Sequence, residues 1–222
     1  AVATSRILVE QFIASFKEAP SELIFDFDAT DDIVHGNQDG RHFSAYYDNY
    51  CFLPLYVFCG EQLLVAYLRP AKKDAALHAA AILKLLVTRL RQVWPGVRLL
   101  FRGDSGFCRP RLMNWCERNN VGYVIGLAKN SRLHTLSEGW YDAASSAFEK
   151  TQTPQRHFGE FAYAAGSWSR LRRVIVKAEH NAQGANPRFV VTTLGNRRQA
   201  VRRRGGWAAR SWRSSCGVGR RI

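Results

Sequence analysis

Between Asp74 and Leu127 the chain alternates helix, strand, helix and strand, and no other feature restricts its fold so strongly. Ala79, Ile82, Leu86, Leu90 and Val93 recur at intervals of three, four, four and three, which predicts an amphipathic helix over 74–93 ended by Pro95 and Gly96. Asp74 is expected near the positive end of its dipole, with Arg89 and Arg91 near the negative end. Val97 to Phe101 reads as a short apolar strand. Pro110 suits the first turn of a second helix running to Arg118, and Val121 to Leu127 reads as the next strand. Parallel strands joined through helices require a sheet with helices packed on it, so the expected class is α/β.

The upstream part adds strands to that sheet. Leu8, Phe12, Ile13 and Phe16 suggest an opening helix between Ser5 and Ala19, stopped by Pro20. The strand from Glu22 then places Leu23, Phe25 and Phe27 on one side and Ile24, Asp26 and Asp28 on the other. Residues 29–40 read as a polar loop. Tyr46 to Phe58 and Gln62 to Leu68 read as two strands of a hairpin turning at Gly60-Glu61. Downstream, 130–167 is polar and helical around Ser137 to Glu149. Trp168 to Ala178 and Pro187 to Thr193 suit paired strands of a small β insertion on the main sheet.

Composition enters through charge. The 222 residues hold 32 Lys and Arg against 18 Asp and Glu, a formal balance of +14, with 46% apolar residues, enough for a real core. Residues 181–222 contain ten of those basic residues, all arginine, and none of the acidic ones. The rest therefore carries a balance of only +4. The tail from Gly195 mixes Arg, Gly and Ser with Trp207 and Trp212 at no steady period. It reads as a basic arm for nucleic acid, or as a low-order, out-of-frame end whose arginines have no selected role. Five cysteines without a CxxC pair fit a reducing compartment rather than a disulfide scaffold. Cys51, Cys59, Cys108 and Cys116 read as small buried residues rather than zinc ligands. The most apolar stretch, Cys51 to Tyr67, is broken by Pro54, Gly60 and Glu61, so no membrane partner is expected.

Two acidic residues carry the chemical hypothesis. Asp28 ends the first strand and Asp104 follows the fourth, and carboxylates at the carboxyl ends of sheet strands occupy a usual place for a site. If they converge, a divalent cation would relieve their repulsion, and oxygen donors of this kind suit Mg²⁺ or Mn²⁺. By spacing alone the plainer readings stay open. Asp26 reads as a solvent-facing strand residue, Asp28 as a cap on the turn at Ala29-Thr30, and Asp104 as a turn aspartate between glycines. Arg102, Arg109 and Arg111 flank the second aspartate and read as phosphate contacts or as an exposed basic face. Lys72 and Lys73 read as solvated charges before the helix.

The segments FDFDATDDIVHGNQDGRHFSAYYDNYCFLPLYVFCGEQLLVAYLRP and WPGVRLLFRGDSGFCRPRLMNWCERNNVGYVIGLAKN resemble bacterial insertion-sequence transposases of the DDE type, group 1, in motifs DxDxTDD…HG, YY…PL and RxDSGF. The resemblance spans roughly 20–194. It implies a ribonuclease-H-like catalytic core over 1–129 with a mixed sheet, a partial β-rich insertion over 130–194, and an irregular Arg-rich tail over 195–222. It further implies strand cleavage and transfer on double-stranded DNA, at transposon ends and target, by two-metal phosphodiester chemistry. Asp28 and Asp104 would be catalytic residues and ligands of Mg²⁺ (or Mn²⁺). Arg102, Arg109, Arg111, Lys72 and Lys73 would meet DNA, and Asp31, Asp32 and His35 would support the metal ligands or position DNA. The implied setting is the bacterial cytoplasm, at the nucleoid when DNA-bound, and a homo-oligomer is implied for intact relatives. The family also has a catalytic glutamate on a later helix, within a Tyr-Arg-Glu-Lys pattern, and nothing here matches it. Glu160 and Glu179 are poor substitutes. The chain is therefore expected to be truncated or frameshifted before that glutamate and inactive, lacking the core's final helix. The alternative is a non-catalytic DNA-binding remnant or an unstable pseudogene fragment.

Overall fold

A computed structural model describes residues 2–45 and 48–195. The elements run α1 (Val2–Ala14), β1 (Glu22–Ala29), β2 (Asp32–Ile33), β3 (His42–Ser44), β4 (Asn49–Phe52), β5 (Leu55–Cys59), β6 (Gln62–Tyr67) and α2 (Ala79–Val93). They continue with β7 (Arg98–Gly103), a single 3-10 turn (Ser105–Phe107), α3 (Pro110–Arg118), β8 (Gly122–Leu127) and α4 (Ser131–Thr151). The last are β9 (Gln155–Tyr163), β10 (Arg172–Asn181), β11 (Gly184–Ala185) and β12 (Arg188–Thr192).

The alternation in β1 has the consequence its sequence predicts: Leu23, Phe25 and Phe27 are buried, while Ile24, Asp26 and Asp28 are half-buried on the opposite face. Parallel β7 lies on one side of β1, in register from Glu22↔Arg98 to Phe27↔Gly103, and antiparallel β5 lies on the other. β8 is parallel to β7, and β6 is antiparallel to β5. The order β6-β5-β1-β7-β8 makes a mixed sheet in an α/β fold, consistent with a ribonuclease-H-like core.

The downstream strands extend this same sheet. β12 pairs antiparallel with β8, β10 with β12, and β9 with β10. One apolar core therefore runs from Val57 and Leu64, through Phe25, Phe101 and Tyr123, to Val191 and Val176. It is covered by Leu83, Leu86 and Leu90 of α2, Leu112 and Met113 of α3, and Leu133 of α4. Asn130 starts α4 by accepting a hydrogen bond from the Leu133 amide at 2.9 Å.

Several boundaries differ from the sequence expectation. α2 begins at Ala79, because residues 74–77 form a turn and His78 has a left-handed backbone (φ 66°) that a helix cannot continue. The stretch 46–58 is two strands, β4 and β5, parted at Leu53-Pro54. Proline has no amide hydrogen to give a ladder. The strand β2 pairs with β4 inside what reads as a loop. The helix around Ser137 to Glu149 is longer at both ends, and β9 emerges from a segment without a clear pattern. Tyr46 and Tyr47 of the YY motif lie outside the described residues, as does the tail beyond Gly195.

Candidate functional site

The parallel pairing of β1 with β7 ends at Phe27↔Gly103, so Asp28 and Asp104 are the next residues on adjacent strands. Asp104 keeps an extended backbone (φ −76°, ψ −172°), which carries the strand alternation one residue further. Neighbouring strands lie about 4.8 Å apart. The two carboxylates are close enough that the Asp104 charge acts on Asp28. Burial, and after it the charge of Asp104, pushes the Asp28 carboxyl above the ordinary carboxylate range. Burial also raises Asp104, against the opposing pull of the Gly106 and Phe107 amides and of Arg109. Two desolvated, mutually repelling carboxylates are a place where a cation is favoured.

Why the chain turns here is legible in its contacts. Asp104 caps the 3-10 turn, its Oδ1 accepting the Gly106 amide hydrogen at 2.7 Å. The turn lies directly on β8 at Gly126, where an added Cβ would come 2.9 Å from the Ser105 nitrogen and 3.1 Å from the Asp104 carbonyl carbon. Any side chain at 126 would push the Asp104 backbone away. Phe107 closes the turn from below, fully buried against Phe27 and Phe101.

The flanking basic residues divide. Arg102 lies beside Asp26 in register and forms an ion pair with it, on the same sheet face as Asp28. Arg109 reaches Asp74 at 2.6 Å. Arg111 is exposed in the first turn of α3, and Lys72 and Lys73 are exposed in the loop before α2. That loop belongs to the site neighbourhood, because Ala75 packs on Gly106 and Asp74 holds Arg109. Asp31 and Asp32 follow β1, and after burial their charges raise the Cys51 thiol. His35 is exposed. The structure thus brings together Asp28, Asp104, Arg109 and the 70–78 loop, while Asp32 belongs to the small β2-β4-β3 sheet and Asp31 directly precedes it.

Glu160 and Glu179 lie on β9 and β10. The first pairs with Arg173, the second with Arg156 at 2.5 Å and Lys177 at 2.7 Å. Among the described residues no group of three or more His, Cys, Asp or Glu is placed to hold a metal ion. Mg²⁺ commonly takes one or two carboxylates and completes its shell with water, so the oxygen pair at Asp28 and Asp104 fits such an ion. The thiols do not compete: burial pushes Cys59 and Cys108 up to about 11 and Cys116 to about 12, so they stay protonated at neutral pH.

Sequence reasoning missed Gly126, Ala75 and the Asp74–Arg109 pair. The glycine alone had a readable signal, a strand glycine marking close backbone approach. The others meet only through folding.

The family model for the transposase DDE domain, group 1, matches residues 1–211. The chain belongs to this family. Among solved structures it is similar to a piggyBac transposase, solved by cryo-EM in a synaptic complex with hairpin DNA, at 10% identity and a TM-score of 0.40. That match covers 81% of this chain, which spans about a third (34%) of the piggyBac chain. No curated protein matches.

Proposed function

We propose that the chain is a ribonuclease-H-like DNA-strand-transfer core in which Asp28 and Asp104 together hold a divalent cation, Mg²⁺ or Mn²⁺, against a DNA phosphate. The observation that carries this reading is the register of β1 with β7, which sets the two aspartates side by side at the ends of parallel strands. A bound divalent cation would supply Lewis-acid charge to the phosphodiester and a more acidic water. The chain's own part is to orient the ligands. The Gly106 amide fixes one Asp104 oxygen, and the Asp26–Arg102 pair neutralises the carboxylate next along β1. Lys72, Lys73 and Arg111 are exposed cations near the turn and suit double-stranded DNA, at transposon ends or target, through phosphates. Asp31, Asp32 and His35 belong to DNA positioning rather than to the cation. A homo-oligomer and a bacterial cytoplasmic setting follow from the family as part of the same proposal.

A pair of carboxylates binds a cation less firmly than a three-carboxylate set. We therefore expect binding without cleavage from the chain as it stands. The test combines Mn²⁺ titration followed by electron paramagnetic resonance with incubation of end-labelled duplex DNA in Mg²⁺. Weak Mn²⁺ binding, lost in Asp28→Asn and in Asp104→Asn, is the expected result, with no cut DNA. Mn²⁺ binding indifferent to both substitutions would overturn the site. Reproducible cleavage abolished by Asp28→Asn would overturn the expected inactivity.

A further inference from the structure

Arg69 is 2% exposed, and its guanidinium is held by hydrogen bonds to backbone carbonyls, with the charge of Asp74 acting on it from the same loop. Its Nε donates to the Leu53 carbonyl at 2.9 Å, and Nη1 donates to the carbonyls of Ala75 and Leu77, each at 2.9 Å. The buried Nη2 has no partner. Arg69 is also tied in the other direction, since its own carbonyl accepts the Leu53 amide hydrogen at 2.7 Å. A buried guanidinium is costly to desolvate, and its use here lies in its shape. Nε and Nη1 point to two separate backbone segments at once, which a single ammonium nitrogen cannot reproduce.

The segment so held is the loop 70–78. Within it the Asp74 side chain caps the turn, Oδ1 accepting the Ala76 amide at 2.7 Å, and the Leu77 amide donates to the Asp74 carbonyl at 2.9 Å. The loop then meets the Asp104 turn at two points. An added Cβ on Gly106 would come 3.2 Å from the Ala75 methyl and 2.9 Å from Asp104 Oδ1, so Ala75 closes the space above the bond between Gly106 and Asp104. On the far side of the turn, Asp74 Oδ2 accepts from Arg109 at 2.6 Å.

We propose that Arg69 is a positioning residue for Asp104, acting through the 70–78 loop that it clamps against Gly106. The importance of that turn rests on the reading of Asp104 as a cation ligand; the clamp itself does not. Without the guanidinium, the Ala75 and Leu77 carbonyls lose their partner. The loop then lifts from Gly106, and water reaches the amide that fixes the Asp104 carboxylate. Lys72 and Lys73 travel with the same loop.

Two variants of the full chain test this, Arg69→Met and Ala75→Gly. The second leaves the buried arginine in place and keeps the test decisive if the first does not fold. Amide hydrogen exchange is followed at Gly106 and, as control, at Phe25 and Phe101 in the core strands. Mn²⁺ affinity is measured in parallel. Both variants are expected to speed Gly106 exchange at least tenfold with the core amides unchanged, and to weaken Mn²⁺ binding by a similar factor. An unchanged Gly106 rate in folded Ala75→Gly, or a rise shared equally by the core amides, would overturn the proposal. If the unmodified chain binds no Mn²⁺, the cation reading fails, while the Gly106 rates still decide the role of Arg69.

Discussion

Asp28 and Asp104 both have carboxyl groups raised above their ordinary value of 3.8 by burial. A carboxylate whose folded value is raised adds stability that is complete below the unfolded value and is lost as pH rises through the folded one. Near neutral pH the ionised pair therefore opposes folding. Asp28→Asn is expected to raise Tm by a few degrees at pH 7 and to leave it almost unchanged near pH 3, as read by calorimetry at both values. Glu117 has the opposite sign. Burial would raise it, but bonds from Arg172, Tyr123 and Arg170 outweigh burial and hold it at about 2. Its contribution is present above the ordinary value of 4.5 and is lost as pH falls through about 2. Arg172 is buried, so Glu117→Gln leaves a desolvated cation poorly paired and should cost about 3–5 kcal/mol at pH 7. Urea denaturation at pH 7 and pH 2.5 checks it, with the difference between variant and parent shrinking at the lower pH.

At the scale of elements, α2 shows why a helical pattern is readable while its partners are not. Leu83 is completely buried and Leu85 is 69% exposed, as expected from a single apolar stripe. Leu83→Ala should cost about 2–5 kcal/mol, and Leu85→Ala should fall within about 0.5 kcal/mol of the parent; chemical denaturation separates them. α4 docks differently. Its Trp140 lies over β9 at Gly159, where an added Cβ would come 2.0 Å from Trp140 Cε2. Gly159→Ala is expected to cost about 1–3 kcal/mol through overpacking, with a shift in tryptophan emission as the ring is displaced. That packing also explains why β9 escapes a sequence reading. One of its inward positions is a glycine filled by another element's ring, and its outward side carries Phe158, so apolar and polar residues do not alternate cleanly.

For the whole molecule, the continuity of the core is the controlling fact. Because β12 pairs with β8, the strands β9, β10 and β12 share one apolar layer with β1, β5, β7 and β8. The chain should therefore unfold in a single cooperative transition, with calorimetric and van't Hoff enthalpies in agreement. Two separate transitions, or broad proteolysis without protection, would support the unstable-fragment alternative. Charge acts on the same scale: with a formal balance of +14, the duplex-DNA binding that we propose should weaken steeply with salt. Measured in EDTA, without divalent cation, Asp28→Asn should not weaken that binding, since it removes a negative charge.

Read alone, the amino-acid order determined the class of fold, the inward face of β1, the two aspartates at strand ends and the concentration of arginine after residue 181. Each of these follows from short-range periodicity or from composition, which the chain carries locally. The tertiary structure decided the rest: Asp28 beside Asp104 across 75 intervening positions, Arg102 paired to Asp26, β12 as the insertion strand that pairs with β8, and Arg69 gripping the loop beside the turn. Those depend on strand register and on which buried donors find carbonyls. Such choices are made by hydrogen bonding and close packing between distant segments, and no local pattern records them.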